Sequence, residues 1–274
     1  MGRRIVGAAL KVAATACLLS LPRCAGFGTT DTSGPDAGVD AGSGDAAPDV
    51  APPADSGPGG DGAPASPCDG GGHRFCVDFD EGQTPDLLFT MTTGDLFVDD
   101  AEAVSQPASL RTRTTGAPGT VTEVLDVPAS GVHVAFDFKI DRYDNEALVN
   151  VFSVVVAAPS TTVALALAIS PTGASFYNTT TQPDGAVTND ALDVTTVLGP
   201  IGAWSHVSLD VLLSGASPRF VLSRDGVTVA SSVVDSFTAT KVTVSVGAFG
   251  GQPAADAGIS IEHHFDNLTV DLDP

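Results

Sequence analysis

The sequence predicts an all-β antiparallel sandwich, and three observations carry that prediction. Apolar residues recur with a period of two, turn signals separate the runs, and no stretch beyond the N-terminal leader carries a helical stripe. Val132, Val134, Phe136, Phe138 and Ile140 alternate with His133, Ala135, Asp137, Lys139 and Asp141, which predicts a strand with one apolar and one wetter face. Val163, Leu165, Leu167 and Ile169 alternate with alanine, so both faces of that strand are expected to be covered. Val242, Val244, Val246 and Ala248 alternate with Thr243, Ser245 and Gly247. Pro171-Thr172-Gly173, Asp184-Gly185, Gly199-Pro200 and Asp225-Gly226 mark turns between the runs, as hairpins require.

Only part of the 274 residues can form this core. Residues 27–67 are dominated by Gly, Ala, Pro, Asp, Ser and Thr, and such a segment cannot bury enough apolar surface to offset the entropy of ordering it. It is expected to be a disordered acidic tether, with one sandwich over 68–274. Residues 1–26 combine a basic start (Arg3, Arg4) with an apolar run from Ile5 to Leu21 and small residues after it, the pattern of a secretory leader. No other apolar run is long enough to span a bilayer.

Charge divides along the same boundaries. The leader carries +4 and the tether −7, which leaves −18 of the total −21 on the folded part. That balance excludes nucleic acid, whose phosphates demand clustered Lys and Arg, and anionic membrane surfaces with it.

The four cysteines form two pairs of different meaning. Leu21-Pro22-Arg23-Cys24 resembles the start of envelope lipoproteins, in which the Cys is lipidated, although Arg23 replaces the small residue that motif carries there. Secretion with cleavage near Gly26 and a lipid anchor at Cys24 both remain open, and both place the domain outside the cytoplasm. Cys68 and Cys76 flank a Gly-rich loop, and an oxidising compartment makes a disulfide between them the expectation. The rival is a metal site of both thiols with His73.

Three segments together resemble the concanavalin A-like or laminin G-like jelly rolls of exported bacterial proteins. They are Phe75-Cys76-Val77-Asp78-Phe79-Asp80, the run Trp204-Ser205-His206-Val207-Ser208-Leu209-Asp210-Val211 with Phe220 to Val229, and Phe265-Asp266-Asn267-Leu268-Thr269-Val270-Asp271. The resemblance implies two stacked antiparallel sheets with the first and last strands side by side. It also implies a structural calcium at Asp266, helped by Asp80. The alternative at Asp266-Asn267 is a bulge that turns Leu268, Val270 and Leu272 inward behind Phe265.

Catalytic patterns are missing from the sequence. Retaining sugar hydrolysis needs two carboxylates about 5 Å apart on one face, yet no two of Glu81, Glu102, Glu123, Glu146 and Glu262 stand two to five positions apart. There is no Gly-x-Ser-x-Gly elbow and no His-Glu-x-x-His helix. His263 and His264 are adjacent and so face opposite sides of a strand, His263 expected half-buried and His264 on the surface. Trp204 is expected in the core, whereas Tyr143 and Tyr177, near strand ends, are the candidate platforms for a sugar ring. The expectation is a non-catalytic, secreted or lipid-anchored domain that binds a polysaccharide or glycan. A structural or protein-interaction module is the alternative, and a glycoside hydrolase-like enzyme without a recognisable carboxylate pair the third.

Overall fold

The computed structural model describes residues 67–274 apart from 71, 81–82, 95, 106–107, 115–118, 144–147 and 250–260. The leader 1–26 with Cys24, and the tether up to residue 66, lie outside the described residues. In chain order the elements are β1 (Phe75–Val77), the single helical turn α1 (Pro85–Leu88), β2 (Met91–Thr93), β3 (Leu96–Asp99), β4 (Ser109–Thr114), β5 (Thr120–Leu125), β6 (Gly131–Tyr143) and β7 (Val149–Ala157). There follow β8 (Thr162–Ser170), β9 (Gly173–Thr181), β10 (Val187–Asp193), β11 (Ser205–Leu212), β12 (Arg219–Arg224), β13 (Val227–Val233), β14 (Lys241–Phe249) and β15 (Ile261–Asp273).

The strands form a two-sheet antiparallel sandwich. One sheet runs β13-β12-β11-β6-β15-β4-β3, with β1 also on β15, and the other runs β10-β9-β8-β7-β14-β5-β2. Phe75 pairs with Val270 and Val77 with Leu268, so the opening and closing segments are neighbours. Alternation fixes which residues meet between the sheets. Val132, Val134 and Phe136 of β6 are fully buried against Phe152, Val154 and Val156 of β7, and the rings of Phe136 and Phe152 lie 4.7 Å apart. Phe176 of β9 meets Phe220 of β12 at 5.0 Å, a second bridge between the layers. Removing such a ring costs about 3–5 kcal/mol.

The strand of valines, leucines and alanines, β8, departs from expectation. Val163, Leu165, Leu167 and Ile169 are buried, but Ala164 and Ala166 are only half-buried on the outer face. Its apolar look comes from small outward residues rather than from a second covering layer over its whole length.

Two irregularities in β15 decide what the outer face of the eight-stranded sheet presents. Asp266 pairs with Asp137 and Thr269 with Ala135, so β15 carries one residue more than β6 over this stretch. Asn267 absorbs it with φ 53°, in the left-handed region that Asn tolerates. Phe265, Leu268 and Val270 all stay buried in the core, while the Asp266 and Asn267 side chains both reach outward partners. A second shift lies between Glu262 and His263, where β6 holds the extra residue.

Candidate functional site

The outer face of the eight-stranded sheet carries a row of histidine–carboxylate pairs. Alternation along β6 places His133, Ala135, Asp137, Lys139 and Asp141 there, and the pairing of β11 with β6 puts His206 opposite Asp137 and Asp210 opposite His133. Two segments lie over this face. Residues 102–105, after β3, bring the Val104 and Ser105 amides to Asp266 at 2.8 and 3.0 Å, and the Ser105 hydroxyl donates to it at 3.1 Å. On the other side the entrance segment is held by the Cys68–Cys76 disulfide and by His73, whose Nδ1 donates to Asp271 at 2.8 Å.

Between the two segments opens a cleft of about 330 Å³. Its floor is Ala135, Asp137, Asn267 and Thr269; Pro67 and His73 form one wall, Val104 and Ser105 another, and His206 closes it. The His206 imidazole donates from Nδ1 to Asp137 Oδ1 at 3.0 Å, and the Asn267 amide donates to Asp137 Oδ2 at 2.7 Å. With a carboxylate as acceptor, Nδ1 carries the proton, so Nε2 is the free end of the ring. Asp137 raises the His206 pKa above its ordinary value through that hydrogen bond, against the desolvation of partial burial. The base of His206 is fixed as well. Its backbone N–H donates to Asp225 at 2.9 Å, and Asp225 and Gly226 turn the β12–β13 hairpin with φ 49° and 77°. Asn267 Oδ1 is buried without a hydrogen-bond partner among the described residues.

A larger concavity, about 500 Å³, lies between α1, β2 and β3, but Asp86 is its one titratable lining residue among those described. The convergent polar groups select the smaller cleft.

A second charged cluster sits beside it. Lys139 pairs with Glu102 and, at 2.8 Å, with Asp141; His264 Nε2 lies 2.8 Å from Asp141 and Nδ1 3.0 Å from the Ser109 hydroxyl. Arg111 pairs with Asp99 at 3.0 Å and with Glu262. Glu102, Asp141 and His264 could ligate a cation by distance alone, yet the Lys139 ammonium already sits on both carboxylates.

The residues singled out in the sequence are dispersed. Tyr143 donates its hydroxyl to the Ile169 carbonyl at 3.0 Å and packs its ring against the core, and desolvation pushes its pKa up to about 12. Tyr177 is half-buried on the outer face of the other sheet, in register with Ala166 and Ala191. Neither lies at the cleft. Trp204 is half-buried rather than core: its ring lies edge-on to His264 at 6.1 Å with the Lys139 ammonium 5.7 Å from its centre. His263 and His264 are both buried. His263 faces inward and its pKa is pushed down to about 3 by desolvation, while His264 faces outward beneath the segment that carries Glu102. The two cysteines flanking His73 are bonded to each other and so are not metal thiolates.

The Asp266 carboxylate does not fit the calcium implied by the resemblance. The Asp266 carboxylate accepts the N–H groups of Val104, Ser105 and Asn267 and the Ser105 hydroxyl, donors that take up the lone pairs a cation would need. Asp80 accepts the Ala108 N–H at 3.3 Å. Asp266 thus anchors Val104 and Ser105, and Asp80 anchors Ala108.

Sequence reasoning missed His206, Asp137 and Asn267 as a group. The outward phase of His206 and Asp137 is readable within each strand, but their meeting depends on β11 pairing with β6.

No protein-family model matches the sequence, and no curated protein matches it. Among solved structures the chain is similar to a cellulose-induced protein, Cip1, at 13% identity and TM-score 0.48, covering 72% of this chain and 96% of that one. It is similar to an alginate lyase, Aly36B, solved with alginate tetrasaccharide, at 14% identity and TM-score 0.44, covering 60% and 80%. A structure of botulinum neurotoxin type C, whose cell entry depends on two ganglioside molecules, shares 11% identity at TM-score 0.44 over 67% of this chain. The chain spans 43% of that structure's length. At these identities and TM-scores the likeness carries no function over to this chain.

Proposed function

We propose that the domain binds a carbohydrate in the His206–Asp137–Asn267 cleft without cleaving it. The observation that supports this reading is the convergence of polar groups beside a small apolar surface. His206, His73 and Thr269 offer acceptors and donors for ring hydroxyls, and Ala135 and Val104 offer apolar surface for the C–H face. Asp137 is the one carboxylate lining the cleft among the described residues, and His206 and Asn267 already use its two oxygens, whereas hydrolysis needs two carboxylates at the bond. A shallow site of this kind gives weak binding, about −5 kcal/mol. A glycan array with a parallel reducing-sugar assay tests both halves: capture without released sugar is expected, and released sugar overturns the non-catalytic reading. Silence on a broad array overturns the binding reading. It would favour protein contact instead, for which Leu87, Met91 and Phe97, 77%, 56% and 51% exposed, offer apolar side chains.

The same proposal includes a concanavalin A-like or laminin G-like jelly roll, supported by β1 lying against β15 in a two-sheet sandwich. It also includes export, secreted or lipid-anchored at Cys24, supported by the leader pattern and by a disulfide of the kind that persists in oxidising compartments. Cell fractionation with mass analysis of the mature N-terminus tests it.

A further inference from the structure

His133 shows what this sheet face does with an imidazole. Its Nδ1 lies 2.9 Å from Asp210 and its Nε2 2.9 Å from Asp273, so one ring sits between two carboxylates. Only the protonated ring donates to both. His206 and His73, at the closing edge and one wall of the cleft, each repeat half of that arrangement. Nδ1 of each is tied to a carboxylate, Asp137 or Asp271, and Nε2 of neither ring has a partner among the described residues.

From this repetition we infer that the cleft takes an acidic sugar, a uronate-type residue whose carboxylate accepts from Nε2–H of the protonated His206, with His73 as the second donor. The inference rests on the carbohydrate reading above and narrows its ligand class. With Nδ1 held by a carboxylate, the neutral ring offers Nε2 as an acceptor, which repels a carboxylate, and the protonated ring offers a charge-assisted donor, which binds one.

The other charges around the two rings are accounted for. Facing His206 are Asp137 of β6 and Asp225 of the β12–β13 turn, the latter paired with Arg224 at 3.0 Å. Asp266 lies behind Asn267, turned to Ser105. Facing His73 is Asp271. Each ring thus stands against one carboxylate, where His133 stands between two. Attraction for the ligand is therefore short-range and needs the hydrogen bond. Binding should appear as the pH falls through the raised pKa of His206.

The test uses the full chain and three probes, glucuronate, glucose and acetate, with affinity read by NMR titration at about pH 5 and about pH 8. The expected result is glucuronate bound about tenfold tighter at the lower pH, glucose bound with no such change, and acetate much weaker than glucuronate at both. The His206 ring protons should shift on adding glucuronate. In His206→Gln the tenfold ratio should collapse, and in His73→Gln glucuronate affinity at about pH 5 should fall. Two variants guard against one failing to fold, and the ring shifts need neither. Glucose binding with no acid-dependent gain for glucuronate overturns the inference and leaves the carbohydrate reading standing. Acetate matching glucuronate overturns the acidic-sugar assignment, an unchanged ratio in His206→Gln overturns the role of that imidazole, and unchanged glucuronate affinity in His73→Gln overturns its role as the second donor. No binding of either sugar at either pH overturns both readings.

Discussion

Ser105 donates to Asp266 twice, from its amide at 3.0 Å and from its hydroxyl at 3.1 Å, and so fastens residues 102–105 to the sheet that they cover. Asp266 is wholly buried. Asp266→Ala leaves these donors, with the Val104 and Asn267 amides, unsatisfied, and should cost about 2–3 kcal/mol in urea unfolding. The pH dependence has a definite sign. Burial pushes the carboxyl up to about 7 from its ordinary 3.8, only partly offset by the amide donors. The folded protein therefore keeps a proton that the unfolded chain releases, and this group costs stability progressively as pH rises from about 4 to about 7. Asp266→Asn should flatten the stability profile in that window; a slope equal to wild type would refute the assignment.

His133 gives a second pH signature. Asp210 and Asp273 raise its pKa through their hydrogen bonds, against the larger desolvation of partial burial that each partner's charge also opposes. A raised histidine pKa contributes stability that is full below the unfolded value and lost as pH rises through the folded one. The ring is exposed enough for solvent to screen it, so His133→Gln should cost only about 0.5–1 kcal/mol below about pH 6 and close to nothing well above about pH 8. Chemical denaturation of both proteins at the two pH values checks it.

Trp204→Ala should cost about 1–2 kcal/mol, the loss of a half-buried ring against His264 and of its contact with the Lys139 ammonium. Phe136→Ala, in the core between the sheets, should cost about 3–5 kcal/mol. Equal losses by thermal or urea unfolding would place Trp204 in the core after all.

Reducing the Cys68–Cys76 bond, or replacing both cysteines by serine, should cost about 2–3 kcal/mol through the small loop that it closes. The loss should be local at first. Hydrogen exchange is expected to quicken in residues 72–77 before the β6–β15 ladder changes, and simultaneous exchange in both would show that the entrance segment is not an independent unit.

The strands were legible because burial on one side imposes a period of two, and Val132 to Ile140 or Val242 to Ala248 state it directly. The same phase held the answer for Trp204, which lies two positions before His206 and so shares its outward face. A preference for burying tryptophan outweighed that phase. Tyr143 was harder, because the extra residue of β6 opposite Glu262–His263 shifts its side of the strand, and no local signal marks such a bulge. The burial of His264 could not be read at all, since it depends on a segment more than 150 residues away that folds over it. The cleft was illegible for the same reason: each of its residues is ordinary alone, and register between distant strands creates it.

Asn267 is a residue that the reading frame of the last strand does not need. Ahead of it Phe265 fills the core and after it Leu268 and Val270 do, and the bulge takes up the extra residue without breaking their phase while sending its side chain to Asp137. Deleting that one position would leave Phe265, Leu268 and Val270 in plain alternation on the core side and remove only the side chain that reaches Asp137, whereas one further residue inserted there without a second bulge would send Leu268 and Val270 into water. The cleft and the core therefore answer to different changes at this point: loss of the extra residue costs the cleft its Asn267 contact and spares the core, while a second extra residue endangers both.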